Sequence, residues 1–397
     1  MKVGVFVGHK SFDEINEKIK SGKAVVVTAE EIIGIAAEKG IKQAAKEVDV
    51  VTTATFGPMC SSGMFINFGH SDPPMRMAKV WLNDVPAYAG IAAVDAYIGA
   101  TEASESMGME YGGAHVIEDF ISGKDIKLYA ESYGTDCYPR KEISTYINKE
   151  NVNQAYMFNP RNAYQNYPAA TNSSDRILYT YMGTLLPQFN NITYSTSGEL
   201  SPLLNDPYCR TIGIGTRVFI GGAHGYVAWE GTQHNPGQKR GENGVPTGSA
   251  ATLAIIGNIK EMDSKYIRAA VFEKYGISLF VGIGIPIPIL DKEMLEYVSV
   301  KNRDIFTNIV DYSVSSGPKP VMRRVSYEEL RSGSVELNGK QIPTAPISSL
   351  KKAREIAQLL KQRINKGEFY LTQPVASLPG MNKVNKLEVR SNGRKKD

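Results

Sequence analysis

Cysteine is scarce in this chain of 397 residues, which contains only Cys60, Cys137 and Cys209. Three thiols are too few for the disulfide framework of a small secreted domain. No two of them form a C-x-x-C pair, so the sequence contains neither a zinc-ribbon nor a ferredoxin-type cluster motif. The three could hold an iron–sulfur cluster only if the fold brought distant positions together, and their wide spacing gives no support for that. We therefore predict no tightly bound cofactor and no resident metal.

Long apolar runs are also missing. The longest, Ile277–Leu290, is interrupted by glycine and proline. It is shorter than the roughly 20 residues of a membrane span, so it predicts a buried strand. The apolar stretch within the N-terminal sequence MKVGVFVGHK is too short for the core of a signal peptide. We expect a cytoplasmic protein that does not associate with membranes.

Charge of one sign is not in large excess, because 45 Lys and Arg residues accompany 41 Asp and Glu residues, a formal net charge of +4. The excess lies in the C-terminal sequence KVNKLEVRSNGRKKD, and the remainder is near neutral. A near-neutral body argues against nucleic-acid binding. The sequence predicts one catalytic domain over residues 1–379, with two lobes at about 1–150 and 151–379, followed by a basic, flexible tail over 380–397.

Strand and helix signals alternate in the first third of the chain. Residues 3–7 and Val48–Thr55 are typical of strands, and capping boxes at Ser11 and Thr28 begin helices. The alternation favours parallel pairing in this third. For the whole chain we predict an α/β fold of mixed sheets with flanking helices, in which the active site lies at strand-to-loop junctions.

The glycine-rich segments do not indicate a nucleotide site. Residues 213–218 and 282–288 lack the third glycine of a dinucleotide-binding loop, and the chain contains no P-loop. The loop 241–248 is expected to precede a helix that begins at about Ser249, and a helix N-terminus can bind an anion.

Two stretches present a cysteine in a loop rich in small and polar residues. Cys60 follows a predicted strand and a Gly–Pro turn, and His70 and Asp72 come soon after it. Cys137 lies in a similar glycine- and proline-containing loop, three residues before Arg140. Turn N–H groups and a nearby cation both favour the reactive thiolate. The alternative is that the thiols are buried and inert, as most cysteines are, and this is the interpretation we adopt for Cys209.

Histidines and arginines in loops provide further candidates. His70, His224 and His234 lie beside glycine or proline, where an imidazole can move a proton. Arg161 lies in a segment dense in Asn and Tyr, and Arg217 lies among glycines, so either can bind a carboxylate. The alternatives are a structural histidine and a surface ion pair, and we prefer an ion pair for Arg210. Zinc would need a close pair of ligands, which the sequence does not show.

Four strings together identify a resemblance. The strings VDVVTTATFGPMCSSGMFINFGHSDPP, GTDCYPR, FNPRNAYQNYPAATNSS and IGIGTRVFIGGAHGYVAWEGTQH are similar to the homocysteine biosynthesis family of methanogenic archaea and some anaerobic bacteria. The resemblance runs from about Phe12 to Pro379. It implies L-aspartate semialdehyde sulfurtransferase activity, in which aldehyde, sulfide and a reductant give L-homocysteine. Two family cysteines associated with that activity correspond to Cys60 and Cys137.

The chemistry of this reaction leads to our own hypothesis for the roles of the candidate residues. Cys60 would carry sulfur as a persulfide that Cys137 shares or resolves, so the two sulfurs should lie close together. His70 or His224 would protonate the departing oxygen. We further expect a set of substrate-binding residues, with an arginine on the substrate carboxylate and a carboxylate on its ammonium group: Arg161, Arg217, Asp72, Glu230 and His234.

The absence of a cluster motif implies that electrons come from outside. The resemblance implies a ferredoxin-like partner that carries [4Fe–4S] clusters, and we also expect a homo-oligomer. Two other classes of protein stay open. A cysteine-dependent aldehyde or acyl-transfer enzyme would use the same thiol, and a non-catalytic metabolite sensor would bind ligand without needing it.

Overall fold

The computed structural model describes residues 9–162, 165–381 and 384–387. The strand predicted at residues 3–7 and most of the tail predicted over 380–397 lie outside the described residues. None of the described helices combines the length and the apolar composition that crossing a membrane requires.

The helices of the described chain are mostly short. The α-helices are α1 (Phe12–Lys20), α2 (Ala29–Lys39), α3 (Ile41–Glu47), α4 (Gly113–Ile121), α5 (Pro202–Asn205), α6 (Lys292–Val298), α7 (Tyr327–Arg331) and α8 (Leu350–Asn365). Short 3-10 turns cover Gly198–Leu200, Ile259–Glu261, Ser264–Tyr266 and Asn302–Asp304.

Strands make up more of the described chain than helices do. The first half contains β1 (Val26–Thr28), β2 (Val50–Pro58), β3 (Gly63–Asn67), β4 (Lys79–Leu82), β5 (Val85–Ala87), β6 (Asp95–Gly99), β7 (Ala103–Ser104), β8 (Gly108–Gly112), β9 (Ile126–Glu131), β10 (Glu142–Ile147), β11 (Gln154–Asn162), β12 (Ala169–Thr171), β13 (Leu178–Thr180), β14 (Gly183–Leu185) and β15 (Ile192–Tyr194). The second half contains β16 (Gly213–Ile214), β17 (Arg217–Ile220), β18 (Ala223–Glu230), β19 (Leu253–Asn258), β20 (Ile267–Phe272), β21 (Gly276–Pro288), β22 (Phe306–Asp311), β23 (Val321–Ser326), β24 (Ser334–Leu337), β25 (Lys340–Pro346) and β26 (Ala376–Ser377).

The helix signals read from the sequence are confirmed at both predicted capping boxes. At α1 the Ser11 N–H donates to Glu14 Oε2 at 2.7 Å, and the Glu14 N–H donates to Ser11 Oγ at 3.1 Å. The same reciprocal pair begins α2 at Thr28. These bonds satisfy donors that a helix start otherwise leaves unpaired.

The fold is mixed α/β, as predicted, but the parallel pairing expected in the first third is limited to β1 and β2. The ten-stranded central sheet has the order β1-β2-β21-β17-β18-β19-β11-β3-β6, and β20 also pairs with β21. From β2 onward its neighbours are antiparallel. The expectation of further parallel strands was wrong because β2 leads into a tight turn, whereas a parallel neighbour needs a long crossover connection.

The central sheet is strongly curled. In the sheet order β2 and β3 are six places apart, which is about 29 Å in a flat sheet. Only residues 59–62 join them, and so short a connection spans at most about 18 Å. The sheet must therefore curve until the end of β2 approaches the start of β3. The loop that carries Cys60 bridges this gap.

Helix α8 covers the part of the sheet formed by β2 and β21. A side chain at Gly282 would lie 2.7 Å from Ile356 Cδ1, and one at Gly284 would lie 3.2 Å from Leu360 Cδ2. Thr52 Oγ1 donates to the Ala357 carbonyl of α8 at 3.0 Å. The glycines in β21 therefore allow a helix to pack closely on the sheet.

A six-stranded sheet of order β23-β22-β12-β15-β25-β24 encloses a second apolar core, and a four-stranded sheet of order β10-β9-β4-β5 carries the Cys137 loop at one end. The central sheet takes strands from both sides of residue 150. The two-lobe division stays a prediction.

The helix expected from about Ser249 does not form. Residues 253–258 are strand β19, which pairs on both sides with β11 and β18. The physical reason is the short, continuous apolar run Leu253–Ile256, of which the first three residues are buried, because a strand inside a sheet buries both of its faces. The proposed anion site at a helix N-terminus is withdrawn with the helix.

A buried carboxylate ties α1 to the edge of the central sheet. Asp49 is 1% exposed; it accepts hydrogen bonds from Lys18 Nζ at 2.6 Å, from Lys10 Nζ at 3.0 Å and from the Val25 N–H at 3.0 Å. Burial by itself would raise the pKa of Asp49, but these donors lower it below its ordinary value.

We expect Asp49→Asn to lower the free energy of unfolding by about 2 kcal/mol, because the two ammonium groups lose their charged partner. The depressed pKa means that this stability is present above the unfolded-state pKa and is lost as the pH falls through the folded-state pKa, below about pH 4. Urea unfolding at pH 7 and pH 3 measures both effects. The exposed Glu110→Gln is the matched control; an equal loss in both variants would contradict the role given to Asp49.

Candidate functional site

The Cys60 loop is a tight turn between β2 and β3. The Ser62 N–H donates to the Met59 carbonyl at 3.0 Å, and Ser62 Oγ donates to the same carbonyl at 2.7 Å. The Met59 N–H donates to the Leu279 carbonyl of β21 at 2.7 Å. These bonds fix the backbone on both sides of Cys60, so the thiol has a defined position.

Asn159 of β11 holds this turn from the other side. It is fully buried; its Nδ2 donates to Ser62 Oγ at 2.9 Å, while Ser61 Oγ donates to its Oδ1 at 3.3 Å. A buried amide needs such partners. It also links the Cys60 turn to Arg161, two residues further along β11.

Cys60 lines a cavity of about 400 Å³ between the central sheet and the loops of the six-stranded sheet. This volume lies within the usual range for small-molecule sites. The cavity is lined by five ionisable side chains: Cys60, Arg161, Tyr167, Tyr181 and Tyr275. A thiol, a guanidinium and three phenols therefore line one cavity.

Neutral polar groups complete the cavity wall. Gln233 lines it, as do Thr196 and Ser278. Ser278 is 1% exposed, and its Oγ has no hydrogen-bond partner among the described residues. Leaving a buried hydroxyl unpaired costs about 1–3 kcal/mol. A polar group of a bound ligand would satisfy it.

Two of the phenols in the cavity wall, Tyr167 and Tyr181, are linked by a hydrogen bond. The hydroxyl oxygen of Tyr181 lies 2.9 Å from those of Tyr167 and Tyr312. Burial, followed by Tyr181, raises the pKa of Tyr312. The Tyr181 and Tyr275 rings meet edge-to-face with centroids 6.1 Å apart.

The Cys137 loop lies elsewhere and is exposed. Its neighbour Tyr138 stacks on His70, with ring centroids 6.1 Å apart. Arg140 donates from Nε to the Pro73 carbonyl at 3.0 Å and from Nη2 to the Asp72 carbonyl. The structure therefore places His70 and Asp72 beside Cys137, and neither residue lines the Cys60 cavity.

Strand β3 separates the two thiols along the chain. Cys60 precedes the first residue of β3, Gly63, whereas the Cys137 loop contacts residues that follow its last residue, Asn67. The strand alone is about 13 Å long. Cys137 does not line the cavity that Cys60 lines, and the expected closeness of the two sulfurs stays a prediction.

Cys209 has a third, different environment. It packs against the main apolar core, and burial, followed by the charge of Asp206, raises the pKa of its thiol far above the ordinary value. Such a thiol is protonated and unreactive, in agreement with the structural role expected for it. Among the described residues no three His, Cys, Asp or Glu side chains are grouped so that they could hold a metal ion.

His224 and Arg217 lie together against the segment that follows α8, outside the cavity. The His224 ring packs on Phe369 with centroids 5.0 Å apart. Burial, then Arg217 and Arg363, lower the pKa of His224. Arg217 donates from Nη1 to the Tyr370 carbonyl at 3.3 Å. This pair connects the sheet to the chain after α8, and neither residue lines the Cys60 cavity.

His234 is 1% exposed and has backbone partners. Its Nδ1 accepts from the Thr252 N–H at 3.1 Å, and its Nε2 lies 3.3 Å from the Pro379 carbonyl. The ring therefore holds the loop in which the preceding residue, Gln233, faces the cavity. Glu230, at the end of β18, is half-buried and does not line the cavity.

Of the nine candidate site residues, Cys60 and Arg161 are thus the two that the fold brings into the same cavity. The sequence analysis missed Tyr181, Tyr275, Ser278 and Gln233. Tyr167 belongs to the Asn- and Tyr-dense segment that was predicted to form a polar binding surface. Tyr181 and Tyr275 lie in hairpin turns and carried no comparable signal.

We expect the three thiols to react with iodoacetamide in the order Cys137, Cys60, Cys209. The order follows exposure and, for Cys209, the raised pKa. Timed labelling of the folded protein, followed by peptide mass spectrometry, measures the three rates. Labelling of Cys209 as fast as Cys137 would contradict its partly buried position and raised pKa, and labelling after unfolding controls for intrinsic peptide reactivity.

A cavity that presents a fixed thiol beside a guanidinium is typical of enzymes that act through a cysteine on a small acidic metabolite. The chain belongs to the family described as "Homocysteine biosynthesis enzyme, sulfur-incorporation", whose model matches residues 24–371. This confirms the predicted class, a sulfurtransferase of homocysteine biosynthesis.

Curated relatives agree with this assignment. The chain is 55% identical over 369 residues to an L-aspartate semialdehyde sulfurtransferase of Methanosarcina acetivorans, covering 93% of this chain and 72% of the relative. It is 53% identical over 384 residues to the enzyme of the same name from Methanocaldococcus jannaschii, covering 93% and 73%. An uncharacterized protein of Methanothermobacter thermautotrophicus is 29% identical over 335 residues, covering 81% and 72%. No solved structure matches the chain.

Proposed function

We propose that this chain converts L-aspartate semialdehyde, sulfide and a reductant to L-homocysteine in the cavity lined by Cys60 and Arg161. The observation that carries the proposal is the shared cavity, because a sulfur-carrying thiol and a carboxylate-binding cation face the same space. A volume of about 400 Å³ accommodates a four-carbon amino aldehyde. The two curated relatives named for this activity support the choice of substrate.

The reaction replaces the aldehyde oxygen by a thiol. One aldehyde and one hydrogen sulfide, with two electrons and two protons, give one homocysteine and one water. In our proposal hydrosulfide attacks a disulfide between Cys60 and Cys137, so that the S–S bond breaks, Cys137 leaves as a thiolate and Cys60 keeps the incoming sulfur as a persulfide. The terminal sulfur of this persulfide forms the new C–S bond to the aldehyde carbon. The Cys137 thiolate then attacks Cys60 and re-forms the disulfide, water is lost, and the two external electrons reduce the resulting thioaldehyde to the thiol. The guanidinium of Arg161 binds the substrate carboxylate. No carboxylate side chain lines the cavity in the described residues, so the ammonium group would be bound by neutral oxygens such as that of Gln233.

Cys137 shares the sulfur or resolves the disulfide left on Cys60 in this proposal. Since Cys137 is exposed and does not line the cavity that Cys60 lines, we propose that the exchange takes place between two copies in a homo-oligomer. Mild oxidation should then give a Cys60–Cys137 disulfide between chains, visible as a dimer on a non-reducing gel. A cross-link formed within the monomer would contradict this arrangement.

Electrons would come from a separate ferredoxin-like protein with [4Fe–4S] clusters, and we propose that the reaction takes place in the cytoplasm. The scattered positions of the three cysteines support an external electron source. Low-potential clusters of this kind supply single electrons to partner enzymes.

The experiment is an anaerobic assay with L-aspartate semialdehyde, sulfide and a chemical reductant, in which homocysteine is measured. Intact-protein and peptide mass spectrometry of the same samples should show about +32 Da, one sulfur atom, on Cys60. Aldehyde oxidation or acyl transfer in place of homocysteine formation would favour the alternative cysteine enzyme. Ligand binding without turnover would favour a sensor.

A further inference from the structure

The proposed reaction needs a proton donor at the aldehyde oxygen. A sulfur nucleophile that adds to the carbonyl leaves a negative charge on that oxygen, and a positioned acid stabilises the developing charge. Neither histidine suggested by the sequence, His70 or His224, lines the cavity, and no carboxylate lines it among the described residues. The proton donor must therefore be one of the other groups that line the cavity with Cys60.

Few of these groups can release a proton. In the proposed reaction Cys60 carries the sulfur, so it is not the proton donor. The guanidinium of Arg161 does not lose a proton in proteins. The remaining ionisable groups are three phenols. A phenol is protonated at neutral pH and can donate a hydrogen bond or a proton.

Two of the three phenols are already engaged. Tyr181 is hydrogen-bonded to Tyr167 and Tyr312, both at 2.9 Å. By contrast, the hydroxyl of Tyr275 has no hydrogen-bond partner among the described residues. Its proton is therefore available to a ligand.

Tyr275 is held over the cavity by the hairpin turn between β20 and β21. Lys274, just before it, has a positive φ of 51°. Its Nζ lies 4.8 Å from the centre of the Tyr179 ring and 3.4 Å from the Tyr179 hydroxyl. This contact ties the turn to the neighbouring β13–β14 hairpin, whose own turn carries Tyr181. Tyr275 thus has a supported position on the rim of the Cys60 site.

The charges around Tyr275 agree with a role beside the thiol. Burial, and then the negative charge of a Cys60 thiolate, raise the pKa of Tyr275, whereas the cation of Arg161 lowers it. The phenol is therefore close enough to sense both the sulfur and the proposed carboxylate-binding group. It is 41% exposed, so a lost proton can be replaced from solvent.

We propose that Tyr275 is a catalytic residue, the general acid that protonates the aldehyde oxygen of the substrate during sulfur addition at Cys60. This inference rests on the proposed function and adds to it the residue that handles the proton. Three observations support the inference. The Tyr275 hydroxyl has no hydrogen-bond partner among the described residues, Tyr275 lines the same cavity as Cys60, and the hairpin turn holds Tyr275 in position.

The step balances without a change of oxidation state. The terminal sulfur of the Cys60 persulfide forms a bond to the aldehyde carbon, and the π pair of the carbonyl moves to oxygen. That oxygen takes the proton of Tyr275, which gives a hydroxyl on the substrate carbon and a phenolate on the enzyme. Water at the mouth of the cavity then returns a proton to the phenolate.

The test compares Tyr275→Phe with the wild type in the anaerobic assay. We expect kcat to fall by at least about 100-fold, while KM changes by less than about threefold because Arg161 still binds the carboxylate. Tyr275→His, which substitutes another acid, should retain more activity than the Phe variant. Ammonium or imidazolium buffer should restore turnover of the Phe variant in proportion to its concentration. The matched control is Tyr146→Phe, an exposed tyrosine of β10, which should behave like the wild type.

The outcomes separate this inference from the proposed function. Homocysteine formation by the wild type together with a Tyr275→Phe variant within threefold of it would overturn the role of Tyr275 and leave the function standing. A loss that is confined to KM, or that no buffer acid restores, would also overturn it. A wild type that forms no homocysteine would overturn both. Unchanged circular dichroism and an unchanged rate of Cys60 alkylation show that the variant is folded.

Discussion

Replacing Cys60 by serine is expected to reduce homocysteine formation to below about 0.1% of the wild-type rate. A serine oxygen cannot carry the persulfide sulfur that forms the new C–S bond, and no second thiol lines the cavity among the described residues. The measurement is homocysteine per enzyme under anaerobic conditions with saturating sulfide. The +32 Da species should also disappear from the peptide that contains position 60.

The matched control is Cys209→Ser, which removes a partly buried thiol whose pKa is raised by burial and by the charge of Asp206. It should retain at least half of the wild-type turnover if the protein is folded. Near-wild-type activity of the Cys60→Ser variant would contradict the persulfide mechanism. Equal losses in both variants, with intact secondary structure, would point to a general requirement for thiols and argue against a specific carrier.

Replacing Arg161 by glutamine is expected to lower kcat/KM by about 100-fold, which corresponds to about 3 kcal/mol, the scale of hydrogen bonds to a charged group. The guanidinium lies in the cavity with Cys60, where solvent screening is reduced, so losing its charge removes the anchor for the substrate carboxylate. We expect KM for L-aspartate semialdehyde to rise more than kcat falls. Initial rates over a range of aldehyde concentrations separate the two constants.

Arg217→Gln is the control for this prediction, because from the sequence alone Arg161 and Arg217 were equally good candidates to bind the substrate carboxylate. Arg217 lies outside the cavity, where its Nη1 donates to the Tyr370 carbonyl, so its replacement should change kcat/KM by less than about twofold. An aldehyde that lacks the carboxylate gives a second check, because it should not distinguish wild type from Arg161→Gln. Equal effects of the two substitutions would contradict the placement of the anchor at Arg161.

Local signals in the sequence were sufficient to predict several helix starts, strands and turns. Both predicted capping boxes begin helices, the strand predicted at Val48–Thr55 is β2, and Cys60 follows the end of that strand in a tight turn. These features depend on residues a few positions apart, so a linear reading finds them. The helix expected at Ser249 failed because burial of both faces by distant strands outweighed the local loop signal.

The sequence could not show which residues from distant parts of the chain lie in the same cavity as Cys60. His70 is ten positions from Cys60, yet β3 carries it to the far end of the strand, beside Cys137. Arg161 is about a hundred positions away and lies in the same cavity as the thiol. Proximity in sequence favoured the wrong neighbour because an extended strand moves the chain about 3.3 Å per residue in one direction.

The sequence by itself determined the class of protein, the α/β composition and the position of Cys60 in a turn after β2, because each depends on composition or on short motifs. The tertiary structure alone decided which groups accompany that thiol. The curl of the central sheet and two hairpin turns bring Arg161, Tyr181 and Tyr275 into the cavity that Cys60 lines, whereas Cys137, in the loop between β9 and β10, does not line it. Which side chains meet in the cavity depends on pairing between strands that are far apart in the chain, and no local sequence pattern encodes that pairing.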